Sequence, residues 1–154
     1  MLELSFNHAE VAVTIGKLVP EHQRSFVLSA LEQHDQSEAE YDRLGTMLTG
    51  EQENTSFLLM TGAGRTKGPS LWAAIKVELY ELFCTKSRKY SSVRKKGAAS
   101  IENTIKVVAT AVAASFNLAL GVVVGAVTIA LICLLKVGSH AWCAVHQPTN
   151  VSIP

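Results

Sequence analysis

Val107 to Leu135 reads VVATAVAASFNLALGVVVGAVTIALICLL, twenty-nine consecutive residues without a charge, bounded by Lys106 and Lys136. A run that long, rich in Val, Ala, Leu and Ile, has the pattern of a membrane span rather than of a core helix. As one α-helix it extends roughly 43 Å against about 30 Å of hydrocarbon, so it tilts or begins in the interfacial zone. Two halves of about 14 residues would reach only roughly 21 Å each, too short to cross. Ser115-Phe116-Asn117 is a weak turn signal, so one crossing is expected. A re-entrant hairpin returning Lys136 to the starting side is the alternative.

What precedes the run sets its orientation. Lys86, Arg88, Lys89, Arg94, Lys95 and Lys96 form a basic neck, whereas only Lys136 follows. The positive-inside bias then places the N-terminal body in the cytoplasm of a cell-membrane protein. The same six residues have the charge to hold anionic headgroups, at about 1 kcal/mol per well-placed cation. Lys136 is placed to snorkel and Trp142 to sit in an interfacial aromatic belt.

Within the run, Ala109, Ala113, Asn117, Gly121 and Gly125 recur every fourth residue. Small side chains at that spacing form a groove that a second backbone can approach, and Gly121-x-x-x-Gly125 is the familiar helix-pairing pattern. An Asn117 amide in hydrocarbon needs a partner, which a second copy supplies. These five residues are the expected self-association face.

The flanking sequence is that of an ordinary helical protein. Residues 1–60 carry ten acidic groups against Lys17, Arg24 and Arg43, while 61–154 carry eleven basic groups against Glu78, Glu81 and Glu102. Such a polarity speaks of partners rather than of fold. Asn7 and Glu10 suit a helix start, with Val11, Ala12, Ile15, Leu18 and Val19 on one stripe. Pro20 opens a second helix carrying Val27, Leu28 and Leu31 inward, which stops near His34-Asp35. Ser37 and Glu40 make a capping box for a third, with Tyr41, Leu44 and Leu48 on one face and Gly50 at its exit. An apolar patch follows at 57–60, and the Gly-rich stretch from Thr61 to Gly68 reads as a linker. After Ser70, Leu71, Trp72, Ile75, Leu79, Leu82 and Phe83 line one face of an amphipathic helix.

Little suggests catalysis. The glycines of 62–68 do not fit a phosphate-loop spacing, and neither a His-Glu-x-x-His helix nor a nucleophile elbow occurs. His140, Cys143 and His146 are spaced by three, but a metal would need further ligands from elsewhere. Trp72, Tyr80 and Phe83 fall on an apolar stripe instead of among exposed arginines, which argues against nucleic acid. Cys84, Cys133 and Cys143 make an odd set without CxxC spacing, suiting a reducing cytoplasm. Met1-Leu2-Glu3 does not begin as a cleavable signal would.

The expected protein is all-α: an acidic helical cytoplasmic domain over 1–66, an amphipathic helix and basic neck over 69–96, one transmembrane helix over 100–137, and a short polar tail over 138–154. Its expected role is non-enzymatic, without catalytic residues, cofactor or metal. It would touch membrane lipid, form a homo-oligomer, and act as a bilayer-perturbing effector controlled by its head. A membrane-anchored adaptor, whose acidic domain recruits a cytoplasmic protein partner, is the second reading. A soluble helical oligomer with a buried central helix is the third.

Overall fold

A computed structural model describes residues 4, 6–32, 37–50, 70–95 and 100–146, and among these every regular element is helical. The expected patch at 57–60, the linker over 61–68, the stop at His34-Asp35 and Lys96 lie outside the described residues.

Local signals start and stop the first helices as the sequence implies. α1 spans His8–Leu18, and the Asn7 side chain accepts the Glu10 N–H at 3.0 Å. α2 spans Glu21–Glu32 directly after Pro20, and Arg24 Nε donates to the Val19 carbonyl at 2.9 Å, fixing the corner between them. α3 spans Glu38–Thr49; Ser37 caps it, and Gly50 leaves it in the left-handed region at φ 80°. α4 spans Leu71–Cys84, capped by Ser70, and all six residues of its expected stripe are buried.

A 3-10 turn at Arg88–Tyr90 runs into the one-turn α5, Ser91–Lys95. Buried Tyr90 donates to Glu78, and burial together with that bond pushes its phenol well above the ordinary value. Arg94 gathers three carbonyls, those of Leu82, Ser87 and Glu81, and so staples this corner to the end of α4.

The uncharged run is divided. α6 spans Ile101–Phe116 behind a Ser100 cap and ends at Asn117, whose φ of 56° and ψ of 47° are left-handed. The Leu118 N–H bonds Ala113 O at 2.9 Å and the Asn117 N–H bonds Ala114 O at 3.3 Å, the paired closure of a Schellman turn. Asparagine enters this region more readily than most side chains because its short amide can bond locally. α7 then spans Leu120–Val137, and α8, Ser139–Val145, follows after Gly138 at φ 100°. The single long helix expected over 100–137 is therefore a helical hairpin, α6–α7.

α7 is the axis of the molecule. It packs against α1, α2, α3, α4, α6 and α8, and its residues Val123 to Leu135 are all buried. The segments expected as head, neck and span share one hydrophobic core, from Val11 and Leu31 through Leu79 and Phe83 to Ile105, Leu131 and Trp142. Trp142, expected at a lipid interface, is only 2% exposed and stacks on His146. At Gly45 a Cβ would fall 2.2 Å from the Trp72 ring, so glycine is what lets α3 close on α4.

Candidate functional site

The feature with functional content is the hairpin, because it holds the chain's most apolar helix and is fastened asymmetrically. α7 is long and apolar enough to cross a membrane, yet thirteen of its eighteen residues are buried by other helices. Its base and its tip differ in every polar respect.

At the base, the start of α6 is held by α1. Glu10 Oε2 accepts the Ile101 N–H at 3.2 Å, one of the donors a helix start leaves free. Lys17 Nζ reaches Glu102 at 3.1 Å, and Lys106 reaches the same carboxylate at 3.2 Å. The bond from Lys17, then that from Lys106, holds the Glu102 carboxyl below its ordinary value. The end of α7 is held by α2: Lys136 Nζ donates to Leu31 O at 2.8 Å and lies 5.7 Å from the Phe6 ring centre.

A second fastening crosses α3, α4 and α8. Asp42 accepts from both Trp72 Nε1 and Lys76 Nζ at 2.9 Å. Glu38 lies 2.6 Å from His146 Nε2 and 3.8 Å from Lys76. His146 Nδ1 bonds the Trp142 carbonyl at 2.9 Å, turning α8 back on itself. Beneath this network, burial pushes the Tyr41 hydroxyl up to about 12, with Cys133 close by. Finally, Cys84 and Cys143 are joined by a disulfide with their Cα atoms 5.6 Å apart, tying α8 to α4. The odd cysteine set, whose spacing suited a reducing cytoplasm, thus contains one bonded pair. Closing a loop of 59 residues contributes about 4 kcal/mol in the chain-entropy picture.

Among the described residues the tip has none of this. Leu118, Leu120 and Val122 are 38%, 45% and 44% exposed, and Asn117, Ala119 and Gly121 are exposed beside them. α7 starts at Ala119 without a side-chain cap. Among the described residues only Pro20 comes within van der Waals reach of a Cβ built at Gly121, at 3.7 Å.

The expected self-association face is split by the turn. Ala109 and Ala113 are buried on α6, Asn117 is the left-handed turn residue, and Gly121 lies exposed at the tip. Gly125 is buried, and a Cβ there would fall 2.2 Å from Gln23 Oε1 and 3.2 Å from Leu48. That amide oxygen and Thr104 Oγ1 of α6 are buried without a hydrogen-bond partner, so two polar atoms in the packed bundle lack compensation.

The described basic residues of the neck are used differently. Arg94 is spent on carbonyls and Lys89 pairs with Glu78 at 2.9 Å, whereas Lys86 and Arg88 are exposed. The side chains of Lys95 and Lys96 lie outside the description. Several acidic residues expected to recruit a partner have internal ones: Glu10 at Ile101, Glu32 at His8, Glu38 and Asp42 as above.

A surface cavity of about 350 Å³ lies beside α4, lined by Lys76, Val77, Tyr80, Glu81, Thr85 and His146. Its cation and its imidazole both face carboxylates of α3, so they are engaged structurally rather than aimed into the cavity. Among the described residues no group of His, Cys, Asp and Glu is arranged to hold a metal ion. The chain matches no protein-family description, no curated protein and no solved structure.

Proposed function

We propose that this chain is a non-enzymatic membrane effector that stores a hydrophobic hairpin inside its own helical bundle and releases it into a bilayer. The observation that carries the reading is α7: a helix with the length and composition of a span, covered by amphipathic helices that have polar outer faces. Exchanging protein neighbours for lipid leaves its apolar surface out of water in both states. The cost of release therefore falls on the fastenings at the base and on the inner faces of the covering helices, which lose α7 as their partner.

Segment lengths refine the form of insertion. The uncharged part of α6, 107–116, covers roughly 15 Å, and that of α7, 120–135, roughly 24 Å. Only α7 approaches the hydrocarbon thickness, with Lys136 able to snorkel at its end. A single-pass form, with the N-terminal helices on the cytoplasmic side and α8 beyond, would part Cys84 from Cys143. It requires them reduced, as a cytoplasmic thiol pool would keep them. In that form Gly121 and Gly125 leave Pro20, Gln23 and Leu48, and become free to pair copies of the helix.

Dye-loaded vesicles test the proposal. The full chain treated with a dithiol should release trapped dye and resist carbonate extraction, and the oxidised chain should release several-fold less. Reduced protein that leaves vesicles intact and stays in the supernatant would overturn it.

A further inference from the structure

We propose that the tip of the hairpin, not the basic neck, is the surface by which the folded chain first touches a bilayer, through apolar contact that needs no anionic lipid. This rests on the membrane reading above and names the part of the molecule that acts first.

Three of the large apolar residues that stand exposed, Leu118, Leu120 and Val122, fall within five positions of sequence at the turn. The turn itself is well defined, because the Schellman closure at Asn117 holds these side chains outward on a rigid corner. An exposed apolar cluster implies a partner, and the chemistry around it selects which. A protein interface surrounds its apolar centre with a polar rim, and a stable one takes roughly 800 Å² from each side. Three half-exposed side chains offer far less area than that. Along the hairpin itself the nearest charges are Lys106 and Lys136, more than ten residues away in either direction, and from outside it the corner of Pro20, which precedes Glu21, approaches Gly121. A lipid surface asks for neither rim nor large area, and it rewards an uncharged segment that lies next to the contact. α7 is such a segment, and it begins at the tip.

The described side chains of the neck do not compete for this role. Of its described side chains, Arg94 and Lys89 are engaged within the fold. Lys86 and Arg88 are left, two cations where lipid capture by charge uses several.

Flotation of the oxidised full chain with vesicles separates the possibilities, because the disulfide keeps the fold closed while surface contact is measured. The chain should bind vesicles of pure phosphatidylcholine, and raising salt from about 0.05 to 0.5 M should change binding less than twofold, since Coulomb attraction is screened over that range. Leu118→Asp with Leu120→Asp should lower binding at least about tenfold, from lost apolar contact and added charge. Lys86→Glu with Arg88→Glu should leave it within twofold. A Leu118→Trp chain should be quenched by brominated acyl chains above the level given by Trp72 and Trp142. It keeps the tip apolar, so its signal reads contact even if the aspartates perturb folding.

Binding that appears only with anionic lipid and vanishes in salt overturns the inference and leaves the effector reading standing. So does pairing of two chains through the tip in the absence of lipid. Should the reduced chain neither bind nor leak, the effector reading falls with it.

Discussion

The two helices that share the uncharged run are solvated in opposite ways. α6 is one-sided: Asn103, Lys106, Thr110 and Ala114 recur at helical spacing on an exposed face, while Ile101, Ile105, Val108 and Val112 point into the core. α7 has no such face, because Val123 to Leu135 are covered on all sides. The contrast teaches that lack of charge and lack of solvent are separate properties. A single sequence run contains one helix that tolerates water along a whole face and one that meets it only at its ends.

The same substitution on the two helices breaks or confirms that contrast most sharply. Ala130→Asp places a carboxylate where the side chain is 2% exposed, and should cost about 4 kcal/mol. Ala114→Asp lies on the wet face of α6, and its cost should stay at about 1 kcal/mol, from helix propensity and the carboxylate in the last turn. Urea unfolding of the full chain measures both. Equal and large losses would mean that the two helices share one apolar surround, as in a single membrane-embedded helix.

The turn between them gives a smaller effect with an informative sign. Asn117→Val forces a β-branched residue into the left-handed region and should cost about 1–2 kcal/mol, whereas Asn117→Gly should be nearly neutral. If the run were one unbroken helix, the order would invert, because valine propagates a helix better than glycine does. Thermal melts of the two variants decide it.

The weakest effect concerns the fastening of α6 to α1. Glu102 is held below its ordinary value of 4.5, so the stability it adds is present above that value. It is lost as pH falls through the depressed one. Protection factors over α1, taken against the intrinsic exchange rate at each pH, should therefore fall in acid, and less so in Lys17→Met, which removes the leading cause of the shift. An identical acid response in that variant would detach the effect from this contact.

Much of the architecture was legible in the sequence because it is written locally. Asn7, Ser37, Ser70 and Ser100 each accept a backbone N–H at a helix start, and the stripe from Leu71 to Phe83 faces the core as its spacing implies. The turn at Asn117 was harder to read. A lone asparagine among alanines and leucines signals either a polar residue in a span or a left-handed stop, and only the packing of α7 against α6 selects the stop. Long-range pairings were invisible for a different reason. Cys84 and Cys143 are 59 positions apart, and nothing in their neighbourhoods encodes that separation. Gly45 beneath the Trp72 ring and Lys76 between two carboxylates likewise exist only once α3, α4 and α8 have met.

Cys133 remains a free thiol, buried on α7 under the roof of Glu38, Asp42, Trp72, Lys76 and Trp142. With the other two cysteines bonded to each other, it is the one thiol a maleimide can modify, and only while that roof is lifted. The unmodified protein thus carries its own clock. The rate at which Cys133 accepts a maleimide, measured by mass on the intact chain, counts how often the stored helix becomes visible to its surroundings.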